Sequence, residues 1–121
     1  MTVLWVALGG AIGSAARYQV NVWSGRLIGA EFPWHTLIVN IAGCFIMGAL
    51  VELMALRLNI GNEVRAFLTT GILGGFTTFS AFGLETFSLA RDGRWTMAAA
   101  NLLLQTVGGL LAVWAGYRIA T

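Results

Sequence analysis

The third hydrophobic stretch of the chain contains the segment that decides the fold, Gly71-Ile72-Leu73-Gly74-Gly75-Phe76-Thr77-Thr78-Phe79-Ser80-Ala81-Phe82. Two adjacent glycines, two threonines and a serine lie here near the middle of an apolar run from about Ala66 to Ala90. A helix that faces lipid has no use for such residues, because irregular backbone at membrane depth is tolerated only inside protein or beside water. The segment therefore indicates either a broken helix or a tightly packed helix whose hydroxyls bond back to its own carbonyls.

The composition of the whole chain is that of a membrane protein. Its 121 residues are 58% hydrophobic and 10% charged, whereas soluble proteins are about 45–50% apolar and about 25% charged. So little charge would not cover a soluble surface, and we expect the lipid bilayer to be the solvent. The net charge of +2 is too small for a nucleic-acid surface, so no nucleic-acid partner is expected. The absence of a nucleotide-binding loop or a metal-ligand cluster argues against an enzyme or a primary pump.

Four stretches are long and apolar enough for transmembrane helices, which need about 20 residues each. The predicted spans are residues 3–23, 36–56, 66–90 and 95–117, each bound being approximate. The connections are short, and Pro33 precedes the second span, where a helix start tolerates it. We predict one all-α domain of four transmembrane helices over residues 1–121, with the first span retained as a helix and not cleaved as a signal peptide.

The arginines outside the spans give little indication of orientation. They divide equally between the two sides of the membrane, with Arg57, Arg65 and Arg118 on the side of the termini and Arg26, Arg91 and Arg94 on the other. The positive-inside rule then has almost no bias to act on. The balance favours insertion in both orientations, and hence an antiparallel homodimer; the alternative is that another feature orients the chain.

Three polar or aromatic positions in the spans have two interpretations each. The buried amide of Asn40 must be hydrogen-bonded, and its two N–H donors suit either an anion or a neighbouring helix. Phe79 and Phe82 are three residues apart and share a helix face. Their ring edges are positive and could face an anion, or the rings could simply be core.

Three charged residues lie within the predicted spans: Glu52, in the last turns of the second span, and the two site candidates Arg17 and Glu85. Arg17, near the end of the first span, either draws anions into a vestibule or snorkels to the interface. Glu85, one turn beyond Phe82, either lies at a pore mouth, accepts hydrogen bonds between helices or snorkels.

Three segments together resemble the Fluc (CrcB) family of fluoride channels. They are GGAIGSAARY from residue 9, TLIVNIAGCFIMG from residue 36 and TGILGGFTTFSAFGLET from residue 70. They occur in the family's order, and the resemblance covers essentially the whole chain. It implies a third helix broken near its middle and an antiparallel, dual-topology homodimer with two fluoride pores. It also implies passive export of fluoride across the inner (plasma) membrane.

The resemblance further implies functional residues. A structural Na⁺ is expected at the dimer centre, held by the backbone carbonyls of Gly74 and Thr77. Arg17 matches the family's vestibule arginine. The pore residues that match the family or neighbour its motif are Asn40, Thr78, Phe79, Ser80, Phe82 and Glu85.

The chain departs from the family pattern at two places. The family usually has TTFSTF where this chain has TTFSAF, so Ala81 lacks a hydroxyl. In the fourth span the polar residues are Gln105 and Thr106, which are candidates for the pore by position only.

The neutral polar and aromatic residues of the spans suit the chemistry of a fluoride pore. Fluoride is costly to dehydrate, so a pore must replace its hydration in many weak steps, which neutral hydroxyls, amides and ring edges supply. The main alternative is a proton-coupled small multidrug exporter, which shares the length and the four spans. That class needs a buried carboxylate in its first helix, where this chain has only Arg17. A small accessory membrane subunit is a third hypothesis.

Overall fold

The computed structural model describes residues 1–56 and 59–121, and all regular structure within these ranges is helical. Arg57, which contributes to the predicted arginine balance, lies outside the described residues. The described residues form five helices: α1 Thr2–Leu27, α2 Trp34–Leu56, α3 over residues 62–76, α4 Phe79–Arg91 and α5 Trp95–Ala120.

Helices α3 and α4 are the two halves of one predicted span. Helix α3 is α-helical over Asn62–Ala66, π-helical over Phe67–Leu73 and α-helical again over Gly74–Phe76. The backbone is then extended at Thr77, with φ −86° and ψ 163°, and at Thr78, with φ −153° and ψ 124°. The broken helix is therefore confirmed, and the alternative of an uninterrupted packed helix is wrong.

The break does not lie at Gly74 and Gly75, the adjacent glycines of the segment. Gly74 is helical, with φ −62° and ψ −37°, and the chain leaves the helix only at Thr77. Thr78 begins α4 as an N-cap, since its Oγ1 accepts from the Ala81 N–H at 3.2 Å. Gly75 serves packing instead, because a Cβ there would lie 2.7 Å from the carbonyl oxygen of Gly10.

Three helical segments of the described chain are long and apolar enough to cross a membrane: Trp34–Leu56, the broken stretch Asn62–Arg91 and Trp95–Ala120. They agree with three of the four predicted spans to within a few residues. Helix α1 spans 26 residues but is not among them, because glycines and polar residues such as Ser14, Arg17 and Asn21 dilute its apolar content.

Close backbone contacts join the helices in pairs. Helix α1 packs on α3, and α2 packs along α5. A Cβ at Gly9 would come within 2.9 Å of the Gly71 Cα. A Cβ at Gly116 would collide with the carbonyl oxygen of Phe45 on α2. The small residues thus act as packing positions, as GxxxG patterns do in membrane helices.

The distribution of polarity is the reverse of that in a soluble protein. Many large apolar side chains are exposed along every long helix, whereas Thr36 and Asn101 are 0% exposed. Exposed apolar and buried polar side chains are the arrangement expected where lipid is the solvent. The polar interior lies beside the break in the third span.

Candidate functional site

A cavity of about 340 Å³ lies beside the break, between α2, the two halves of the broken helix and α5. We call it the central cavity. It brings together eight of the predicted site residues, which are Asn40, Gly74, Thr77, Thr78, Phe79, Phe82, Gln105 and Thr106. Cys44 also lines it, and no charged residue of the described chain does so.

Asn40 binds the broken backbone from the neighbouring helix. Its Oδ1 accepts from the Thr78 N–H at 2.8 Å, and its Nδ2 donates to the Thr78 carbonyl at 2.9 Å. Nδ2 also donates to Gln105 Oε1 at 2.6 Å. Both N–H donors of the amide therefore have protein acceptors, so an anion that binds Asn40 must displace one of them.

A chain of side-chain hydrogen bonds continues from this amide into α5. Gln105 Nε2 donates to Asn101 Oδ1 at 3.0 Å, and Asn101 Nδ2 donates to Thr86 Oγ1 at 2.9 Å. The Thr86 hydroxyl in turn donates to the Phe82 carbonyl at 2.8 Å. The network thus ties α2, α4 and α5 together around the aromatic residues.

Asn101 and Thr86 belong to this network but are not among the site residues predicted from the sequence. The pattern that could have found Asn101 was present: Asn101 and Gln105 are four residues apart on an otherwise apolar helix, so they share one face. An amide pair at that spacing in a membrane span must bond to something buried. Thr86 gave a weaker indication, because a lone threonine can bond back to its own helix.

The break leaves several carbonyls without their helical donors, among them those of Gly74 and Thr77. In a continuous helix the Gly74 carbonyl would accept from the Thr78 N–H, which here donates to Asn40. The Thr77 carbonyl would accept from the Ala81 N–H, which here donates to Thr78 Oγ1. Both residues line the central cavity. Unwound carbonyls inside a membrane protein are suitable ligands for Na⁺, so the residues fit the predicted cation.

Arg17 lies on the other side of the break. Its Nε donates to the Gly75 carbonyl at 3.1 Å, and the side chain is partly buried between α1 and α3. A cation near the C-terminal carbonyls of a half-helix is stabilised by the helix dipole. In this conformation Arg17 stabilises the end of α3, and it is not a lining residue of the central cavity.

The two phenylalanines form a pair but have different environments. The centroids of Phe79 and Phe82 are 5.7 Å apart, with ring planes tilted by 60°. Phe82 is 7% exposed and Phe79 is 82% exposed. Both rings line the central cavity, but Phe82 is a core residue of the chain, whereas Phe79 presents its ring outward.

Ser80 and Thr106 differ in their position relative to the central cavity. Ser80 is exposed near the start of α4 and does not line the central cavity. Thr106 does line it, but its hydroxyl donates to the Leu102 carbonyl of its own helix at 2.7 Å. The hydroxyl proton is used in this bond and would have to turn away from Leu102 to bind an anion.

Glu85 lies outside the central cavity, one turn further along α4. Its Oε2 is 2.9 Å from Nε2 of His35, at the start of α2. Both border a second cavity of about 600 Å³, which we call the mouth cavity. The polar and charged residues that line it are Glu31, His35, Glu85, Ser88, Asp92 and Arg94. Glu85 thus joins two helices at the edge of the bundle.

These features define a class: a multi-pass helical membrane protein with an uncharged polar centre at a broken helix. The chain belongs to the CrcB family, because residues 4–117 match the family described as CrcB-like protein, Camphor Resistance (CrcB). The match confirms the resemblance found in the sequence.

Relatives over nearly the full length carry one name. A protein of Agrobacterium fabrum (strain C58) named fluoride-specific ion channel FluC is 53% identical over 119 residues, which cover 98% of this chain and 95% of the relative. A protein of the same name from Rhizobium leguminosarum bv. trifolii is 50% identical, and the match covers 91% of this chain and 93% of the relative. Another, from Chloroflexus aurantiacus, is 45% identical, and the match covers 94% of this chain and 90% of the relative. These relatives are named as ion channels and not as enzymes.

Proposed function

We propose that this chain forms a passive, fluoride-selective ion channel that exports fluoride across the inner (plasma) membrane. The observation that carries the proposal is the central cavity, where amides, hydroxyls and aromatic rings meet at a broken helix without a charged side chain among the described lining residues. The name of the relatives supports fluoride as the ion.

An uncharged lining suits a strongly hydrated anion that must keep moving. Dehydrating fluoride is expensive, and a positively charged side chain in direct contact with the ion would hold it too tightly for conduction. Amide N–H groups, hydroxyls and ring edges replace the water in several weak steps. This requirement is met by Asn40, Thr78 and the phenylalanine pair in the central cavity.

Asn40 provides the most specific step. Its two bonds to Thr78 fix the amide to backbone, whereas its third bond is to the side chain of Gln105. An entering fluoride takes the place of Gln105 Oε1 and accepts from the freed Asn40 N–H. The Thr78 bonds meanwhile keep the amide in position, so little is lost when the ion leaves.

The channel is proposed to be an antiparallel homodimer of four-span subunits with two pores. Helix α1 provides the fourth span, because 26 residues make a helix of about 39 Å, longer than a hydrocarbon core of about 30 Å. The Phe79 ring faces outward, and the carbonyls of Gly74 and Thr77 lack their helical donors, and each unsatisfied carbonyl inside a membrane costs several kcal/mol. A second copy covers them, and the balanced arginines permit it to insert in the opposite orientation.

A structural Na⁺ would be held by the main-chain oxygens of Gly74 and Thr77 from both subunits. When bound, it would supply a fixed positive charge that lowers the cost of placing an anion nearby. The chain's own residues do the rest. Asn40 and Thr78 bind and orient the fluoride ion, the aromatic rings exclude water, and Arg17 stabilises the end of the half-helix.

Fluoride efflux from liposomes that contain the purified protein tests the proposal, with chloride efflux as the control. We expect rapid, uncoupled fluoride release and far slower chloride release. Proton-coupled transport of an organic cation without fluoride flux would instead support the drug exporter. That alternative gains no support from α1, which carries no carboxylate in Thr2–Leu27.

A further inference from the structure

The central cavity and the mouth cavity lie one after the other along the same two helices. Helix α4 contributes Phe82 to the first and Glu85 to the second, and three residues of helix correspond to about 4.5 Å. Helix α2 contributes Asn40 to the first and His35 to the second, about 7.5 Å apart along the axis. An ion that leaves the central cavity past Phe82 therefore next meets Glu85 and His35.

A carboxylate at this point is an obstacle for an anion. Glu85 is 23% exposed, and its Oε1 is buried without a hydrogen-bond partner among the described residues. Its Oε2 has one partner, the imidazole of His35 at 2.9 Å, which is itself 29% exposed. Unless something offsets its charge, Glu85 repels fluoride across a partly desolvated gap.

The other charges around the mouth cavity do not resolve the conflict. Glu31 and Asp92 add negative charge, and Asp92 pairs with its neighbour Arg91 at 3.3 Å. Arg94 is the one arginine among the described lining residues. Carboxylates and guanidinium groups ordinarily keep their charge from about pH 5.5 to about pH 8, whereas histidine changes its charge near neutrality.

We propose that His35 is a charge-compensating residue of the fluoride pathway, whose protonation neutralises Glu85 and raises fluoride conduction as the pH falls. This inference rests on the proposed channel function. It also has a use there, because fluoride enters a cell as HF from acidic surroundings, so that conduction would rise when fluoride enters fastest.

Fluoride current through planar bilayers at symmetric pH 8.0 to 5.5 tests the proposal, and uncharged HF adds nothing to this readout. Wild-type current should rise about fivefold as the pH falls, the factor for removing one repelling charge at about 4 Å in water. H35Q, which keeps a donor to Glu85 without a charge, should stay at the alkaline level throughout. H35R should stay at the high level throughout, and E85Q should already be high at pH 8.0, because it removes the repelling charge without protonation of His35.

The set of variants separates charge from structure. If His35 only supported the fold, H35R would fail as H35Q does, and that result would overturn the proposal. A wild-type fluoride current that does not change with pH would overturn it as well, while the proposed channel would stand. Absence of fluoride current at every pH would overturn both.

Discussion

The side-chain amide of Asn40 and the backbone of Thr78 hold each other through two reciprocal hydrogen bonds, of 2.8 Å and 2.9 Å. The Thr78 N–H has left its helical acceptor to make this contact. The pair therefore stabilises the broken helix and places the amide beside the central cavity. One residue of α2 thus connects the fold of the third span with the proposed pathway.

Replacing this amide should damage both stability and conduction. In Asn40→Leu the Thr78 N–H loses its acceptor inside the membrane, and we expect a loss of about 1–3 kcal/mol in the free energy of unfolding. Fluoride efflux should fall by at least about tenfold, which corresponds to ~1.4 kcal/mol in the barrier. Thermal unfolding in detergent and liposome efflux measure the two effects. Asn21→Leu, at an exposed position of α1, is the matched control and should change neither.

The phenylalanine pair should separate ring chemistry from packing. Phe79→Ile and Phe82→Ile keep apolar bulk but remove the ring edge, so both should reduce fluoride efflux by at least about tenfold. Phe82 is buried and Phe79 is exposed, so only Phe82→Ile should also lower the unfolding temperature of the isolated subunit. Phe87→Ile, on the same helix and 62% exposed, is the control. Wild-type efflux in both variants would make the rings packing residues.

The sequence predicted three of the membrane-spanning segments and the break, because their physical causes are local. Hydrophobic length located the helices, and the cluster of glycines and hydroxyls located the irregular segment. The position of the break within that segment was not predictable, because it depends on Asn40 from another helix competing for the Thr78 N–H. The glycines that suggested unwinding instead bring α1 close to α3.

The candidate site was predictable only in part, for a related reason. Asn40, Phe82 and Gln105, which are candidates from the sequence alone, all line the central cavity. Arg17 bonds to the Gly75 carbonyl, a contact that needs knowledge of which helices are neighbours. Asn101 and His35 act through partners 15 and 50 residues away, Thr86 and Glu85. The residue pattern of a single helix does not predict which residues of other helices it will contact.

Orientation in the membrane should respond to small changes of charge. Adding three lysines after Thr121 biases the arginine balance toward one side, so the chain should insert mainly in one orientation. Antiparallel partners then become scarce, and fluoride efflux should fall. Adding three lysines to the turn at Asp92-Gly93 as well restores the balance and should restore efflux. A C-terminal reporter with activity on both sides of the membrane checks the wild type, and activity on one side only would contradict dual topology.

The carbonyls of Gly74 and Thr77 are among those that the break leaves without helical donors. We expect Na⁺ on the dimer axis, bound by the main-chain oxygens of Gly74 and Thr77 from both subunits. Because backbone supplies the ligands, Thr77→Ser and Thr77→Ala should both keep the cation, although the latter loses the hydroxyl bond to the Leu73 carbonyl at 3.0 Å.

Protein that is expressed, purified and assayed without sodium should lose fluoride current and dimer stability together, since one subunit holds only half of the ligands. Replacing Na⁺ with N-methylglucamine, which is too large for the site, provides the measurement, and restored current on adding Na⁺ provides the control. Unchanged current in the sodium-free preparation would contradict the prediction, as would loss of the cation in Thr77→Ala, because that result would assign the ligand to the hydroxyl and not to the carbonyl.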